Sequence, residues 1–245
     1  MPVYEPKQVE YTIESGRVSV MREDGTPIPA YWAHPEVGAT FPSVALIHDW
    51  WGIRPTERRL AQALAQMGYY VIVPDLFNGQ TADTAQQAMK LVEALGTRGY
   101  SGVDGALRAM EQHTRSNRNV AVVGLGMGGS LAYEAAIKRT DLEAAVSFYG
   151  FPQRYLGQLK MAHAPILAIY GSQEPYTRPN VLAHLRQEFA ESSLPHELHL
   201  LEGAGRDFFD DGSAVASRAW ALLAAFLEKY LGSLHRPPAK PAPRA

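Results

Sequence analysis

The 245-residue sequence predicts a single α/β domain with a mostly parallel, doubly wound sheet and antiparallel strands at its N-terminus. Three observations predict it. Six short runs rich in Val, Ile, Leu and aromatic residues, from Ser43 onward, lack strict alternation, as strands covered on both faces do. Helical patterns separate most of them, and an alternating stretch precedes them all. This order of elements is that of a sheet wound on both faces.

Taken in order, "VEYTIESGRVSVM" alternates around Ser15-Gly16 and predicts a β-hairpin, and "IPAYWAHP" predicts a third antiparallel strand ending at Pro35. The six core runs are "SVALIHD", "YYVIVPD", "VAVVGL", "AAVSFYG", "PILAIYG" and "HELHLLEG". Helical periodicity falls on Thr56–Met67, Thr81–Ala94, Val103–Gln112, Gly128–Lys138, Pro179–Ser192 and Ser213–Leu231. Thr56 before an acidic residue, and Asp211-Gly212-Ser213, supply N-terminal signals. The domain is expected over residues 1–231. Residues 232–245, with closely spaced prolines and little apolar content, are expected to form a flexible or polyproline-like tail.

Composition narrows the function classes. A formal net charge of −2 gives no basic footprint for nucleic acid. No apolar run is long enough to span a bilayer, and the first residues lack the order of a signal peptide, so no membrane partner and a cytoplasmic location are expected. With no cysteine, disulfides, thiolate metal sites and a catalytic thiol are excluded. The histidines have no metal-site spacing, so neither metal nor cofactor is expected.

The chemistry turns on "VAVVGLGMGGSLAYEAA", a strand, a glycine-packed turn and a helix. Gly124 to Gly129 satisfy G-x-G-x-x-G, but a dinucleotide site needs an acidic residue at the end of the next strand, and that strand closes as "SFYGF". Asp141 and Glu143 fall at its wrong end. The alternative is a nucleophile elbow, G-x-nucleophile-x-G, in which Gly124 and Gly128 flank the nucleophile position. That position is Gly126, which has no side chain.

Across nearly its whole length the chain resembles the dienelactone hydrolase family. The resemblance rests on "VALIHDWWGIRPTERRLAQALAQMGYYVIVPDLFNG", the elbow, "AAVSFYGFP", "PILAIYGSQEPYTRP" and "HLLEGAGRDFFDD". It implies the α/β-hydrolase fold and a Cys or Ser–His–Asp triad acting on lactones and esters. Carried over position by position, the nucleophile falls on Gly126, the acid on Glu174 and the general base on Arg206, while Asp49 stands where related members have an acidic residue. Gly126 offers no heteroatom, and the Arg206 guanidinium stays protonated. An Arg206–Glu174 ion pair would stand in for His–Asp.

Among other residues, Ser130 is expected to be structural. His48, beside the expected oxyanion donors, is a candidate for either packing or catalysis. The crevice at the carboxyl ends of the strands would be lined by Asp49, Trp50, Trp51, Gly126, Met127, Tyr149, Glu174, Tyr176, Arg206 and Phe208. The main-chain N–H groups around Met127 are candidate anion donors. The expected function is therefore that of a dienelactone hydrolase-like protein binding a small aromatic, carboxylate or lactone-type ligand without covalent catalysis. Two alternatives stand beside it: a hydrolase that activates water through Asp49, Glu174 or His48, and a scaffold acting through the tail or an exposed face. The resemblance leaves homo-oligomerisation open.

Overall fold

The computed structural model describes residues 11–209 and 213–232. An eight-stranded sheet runs through it in the order β1-β2-β4-β3-β5-β6-β7-β8. Its strands are β1 (Ile13–Met21), β2 (Pro27–Pro35), β3 (Phe41–Ile47), β4 (Tyr70–Pro74), β5 (Ser116–Leu125), β6 (Ala144–Phe148), β7 (Ile166–Gly171) and β8 (Glu197–Leu201). The pairs from β4 to β8 are parallel, and β1–β2 and β2–β4 are antiparallel. β3 through β7 are buried along their whole described length apart from the start of β5, as the non-alternating apolar runs require.

Among the described residues, six α-helices cover the two faces: α1 (Pro55–Gln66), α2 (Ala85–Leu95), α3 (Gly99–Gln112), α4 (Met127–Lys138), α5 (Pro179–Glu191) and α6 (Ala214–Leu231). α2 opens on a capping box in which Thr84 accepts the Gln87 N–H and Gln87 reaches back to the Thr84 N–H. α6 opens on Ser213, whose hydroxyl accepts from Ala216. Asp211 and Gly212 lie outside the described residues, as does the expected tail beyond Gly232. Among the described residues, no helix is long and apolar enough to cross a membrane.

One expected element differs. Residues 13–21 form one continuous strand, so no hairpin turns at Ser15-Gly16. Gly16 lies opposite Trp32, and a Cβ there would press on the indole ring at 3.1 Å. Glycine at this position makes room for a ring and does not mark a turn. The chain reverses at Asp24-Gly25, where the Asp24 carboxylate accepts the Thr26 N–H (2.8 Å) and Gly25 takes φ +78. The antiparallel entry therefore has two described strands, where the pattern suggests three.

Candidate functional site

β3 and β5 end side by side in the sheet, and their loops build the site. The β5–α4 turn is tight. Gly128 lies so close to the Ile47 carbonyl that any Cβ would collide with it, so helix and strand meet backbone to backbone. This close approach accounts for part of the glycine pattern without a bound pyrophosphate. Gly126 caps the turn at φ +51 and ψ −108, a conformation that side chains resist.

The space above Gly126 belongs to Asp49. A Cβ on Gly126 would fall inside contact distance of Oδ1, Cγ and Oδ2 of Asp49. Oδ1 accepts the N–H of Trp50 (2.7 Å) and the N–H of Met127 (2.8 Å). Two main-chain amides thus converge on one oxygen, within the 2.7–3.1 Å range typical of donors to an oxyanion. The anion they hold is the chain's own carboxylate. Burial pushes the Asp49 carboxyl up from its ordinary value, while Arg206 and the two amides pull it down.

Arg206, on the loop after β8, is the counter-charge. Its guanidinium lies 3.5 Å from Asp49 Oδ2 and 3.2 Å from Glu174 Oε1, and donates to the Tyr149 carbonyl at 3.0 Å. The rings of Tyr149, Phe151 and Tyr176 lie 4.8, 4.9 and 5.4 Å from the guanidinium carbon. Glu174 also accepts the Tyr176 N–H (2.9 Å), which holds it in its loop. The Arg206–Glu174 pairing expected from the sequence is present, and Asp49 makes the cluster a triad of charges. Asp49 Oδ2, Glu174 Oε2 and Arg206 Nε are buried without a hydrogen-bond partner among the described residues, so the cluster keeps unused polar capacity.

The remaining predicted residues divide. His48 is wholly buried, with Nδ1 on the Asp49 carbonyl (2.7 Å) and Nε2 on the Leu76 N–H (3.1 Å). That pattern fixes Nδ1–H as donor and leaves no nitrogen for a proton transfer; burial also lowers its basicity. Ser130 bonds back to the Gly126 carbonyl (3.3 Å) and accepts the Phe151 N–H (2.8 Å). It ties α4 to the loop after β6. Tyr149 and Phe208 are buried and meet edge to face at 5.3 Å. Tyr176 is 53% exposed. Trp50 and Met127 instead face a groove of about 690 Å³ between α2, α3 and α4, walled also by Tyr100, Leu131, Phe151 and Tyr155.

Two features have little or no signal in the residue pattern. The groove draws on residues from four separate segments, and only the fold unites them. Glu57 is a buried carboxyl at the start of α1 whose Oε2 accepts the Arg54 N–H (2.8 Å). Burial pushes it up to about 7, with Asp49 adding repulsion. Glu57 and Asp49 line a cavity of about 10 Å³, the size of one water. The Arg54-x-x-Glu57 spacing is a capping-box spacing with Arg in place of Ser or Thr, so it does not attract notice.

Comparison with known proteins bears on the fold and the family. The model of the dienelactone hydrolase family matches residues 28–231. Protein usf of Aquifex pyrophilus is 26% identical over 88% of this chain and 99% of its own length. A carboxymethylenebutenolidase of Rhodococcus opacus is also 26% identical, over 86% of this chain and 90% of its own. Among solved structures, a putative dienelactone hydrolase from Klebsiella pneumoniae superposes with a TM-score of 0.81 at 22% identity, covering 89% of this chain and all of the other. A dienelactone hydrolase-like promiscuous phosphotriesterase from metagenomic libraries gives 0.79 at 18% identity, covering 90% and 99%.

Proposed function

Because the chain belongs to the dienelactone hydrolase family, we propose that it keeps the family scaffold without covalent acyl transfer and binds a small aromatic, carboxylate or lactone-type ligand beside the triad position. One observation carries this reading. The Asp49 carboxylate occupies both the space of a side chain at residue 126 and the two amide donors of Trp50 and Met127. A covalent mechanism needs a nucleophile, a titrating base and free oxyanion donors. Gly126 cannot attack, Arg206 cannot cycle a proton, and the donors are already engaged.

The committed state of Arg206 also limits how a ligand is held. With its guanidinium on Asp49, Glu174 and the Tyr149 carbonyl, it has little attraction left for an added anion. Recognition falls instead on the aromatic and aliphatic walls of the groove, Trp50, Met127, Phe151 and Tyr155, in the mixture small-molecule sites use. Arg154 lines the same groove without a carboxylate partner among the described residues and serves as the anchor for a ligand carboxylate.

The test is a paired one. Against a panel of p-nitrophenyl esters and lactones, the wild-type chain gives no kinetic burst and no acylated species in the mass spectrum. Against aromatic acids, lactones and esters, thermal shift finds at least one ligand whose binding Trp50→Ala or Arg154→Gln weakens. An acylated chain overturns the first half, and hits indifferent to both variants overturn the second. A second reading has its own motivation: the buried Asp49 Oδ2, ion-paired with Arg206 but without a hydrogen bond among the described residues, is a carboxylate oxygen able to take a proton from water. Ester or lactone turnover that is abolished by Asp49→Asn, with no acyl intermediate, selects that reading.

A further inference from the structure

A second cavity, of about 330 Å³, opens between the β1–β2 hairpin, α1 and the β4–α2 loop. It shares no lining residue with the groove beside Trp50. Its volume is at the low end of the roughly 300–1,000 Å³ that small-molecule sites occupy. Two elements contribute an arginine to the lining, and Tyr31 forms one wall. Arg17 on β1 is its direct cross-strand partner, and such pairs hold their side chains in contact. Arg58 on α1 stacks its guanidinium carbon 5.8 Å from the ring centre. One turn further along α1, Gln62 donates to the Tyr31 hydroxyl at 3.0 Å and fixes the ring's orientation.

Neither Arg17 nor Arg58 lies within ion-pair distance of a carboxylate among the described residues, whereas Arg108, Arg139 and Arg206 are all paired. The acid that does line the cavity, Asp75, is already engaged. Its Oδ1 accepts the Phe77 N–H (3.1 Å) and its Oδ2 the Gly79 N–H (2.7 Å). The cavity therefore offers two arginines without an ion-pair partner among the described residues, against the single charge of Asp75, beside one fixed aromatic ring and over an apolar floor of Ala30 and Ile53. Asn78 beside them, at φ +53, adds a side-chain amide with no partner among the described residues.

We propose that this cavity is a second ligand site, for a small planar aromatic carrying one oxyanion group: the ring stacks on Tyr31 and the oxyanion bridges Arg17 and Arg58. A guanidinium pair suits carboxylate and phosphate alike, since each presents two oxygens to a planar fork. The site is independent of the ligand groove and stands or falls without it.

The experiment is isothermal titration of the full-length chain with benzoate and phenyl phosphate, and with acetate and inorganic phosphate as ringless counterparts. At least one aromatic probe binds saturably, and about tenfold or more tighter than its ringless counterpart. Arg17→Gln/Arg58→Gln, two exposed positions whose exchange leaves the core untouched, weakens it about tenfold or more. Tyr31→Leu weakens it also, and the same arginine dependence is seen in a Trp50→Ala background, in which the groove is impaired. The stronger of the two aromatic probes identifies the natural head group as carboxylate or phosphate. No saturable binding, equal binding of the ringless ions, or binding that survives the double arginine exchange overturns the proposal. Binding lost with Trp50→Ala and kept in the arginine variant assigns the probe to the groove and also overturns it.

Discussion

Gly126 and Asp49 are one decision made at two positions. The backbone at residue 126 is turned into a conformation a side chain would resist, and the room thereby gained holds a carboxylate. Adding one methyl group tests the coupling. Gly126→Ala forces an overpacked contact, which costs about 1–3 kcal/mol, and strains the backbone besides. Asp49→Ala removes the opposing group, so the double variant is more stable than the sum of the singles predicts. Urea denaturation of the four proteins gives a coupling of about 0.5–3 kcal/mol of that sign; additive losses would mean that the carboxylate does not fill the space. Arg206 answers to the same logic. Arg206→Met leaves two buried carboxylates without their cation and costs about 3–5 kcal/mol near neutral pH. Removing the guanidinium also removes the pull that lowers Asp49, so its folded pKa rises further above the unfolded value. The folded variant then binds a proton the unfolded chain releases, and its deficit shrinks on acidification. A deficit constant from neutral to acid pH would contradict this assignment.

The elements place these residues, and α1 does so with a carboxyl at its start. Glu57 receives the Arg54 N–H at the N-terminus of the helix, yet burial raises it to about 7 from 4.5. Between those values the folded chain holds a proton that the unfolded chain has lost. Its contribution to stability is thus complete below about 4.5 and disappears as pH rises through about 7. Glu57→Gln keeps an oxygen for the Arg54 amide and cannot titrate, so thermal melts of this variant flatten across that window while the parent loses stability with rising pH. Parallel curves would show that Glu57 does not titrate there. At this scale the sequence was most readable. Five of the six non-alternating runs became the buried strands β3 to β7, the sixth became β8 at the sheet edge, buried only at Leu201, and the helical patterns became α1 to α6 within a few residues. Gly16 misled because its reason lies across the sheet, in the bulk of Trp32, and no local pattern carries that information. The strand–turn–helix at Gly126 and the pairing of Glu174 with Arg206 were legible from motif spacing. The orientation of the Asp49 carboxyl was not, since it depends on amides from two loops that meet only in the folded chain.

At the scale of the whole molecule the scaffold and the chemistry separate. The sheet with its covering helices is the fold of the family, and fold alone does not determine activity. The residues of the proposed site arrive on different loops, Gly126 after β5, Glu174 after β7 and Arg206 after β8, with Asp49 after β3 between them. If the carboxylate is what stands where chemistry would occur, three substitutions should restore a reaction that one cannot. Gly126→Ser alone places a hydroxyl against Asp49, with no base and with both amides engaged, and the chain should not become acylated by p-nitrophenyl acetate. Asp49→Ala clears the space and frees the Trp50 and Met127 N–H groups, and Arg206→His supplies a titrating base beside Glu174. The triple variant should then accumulate an acyl-enzyme, visible as a mass increment on the elbow peptide that carries the introduced hydroxyl. It should also hydrolyse the ester about 10²–10⁴ times faster than the single variant, the gain a positioned general base supplies. Acylation of the single variant would show that Asp49 yields its place without cost. A folded but inert triple variant would mean that more of the loops than these three positions keeps the turn from reacting.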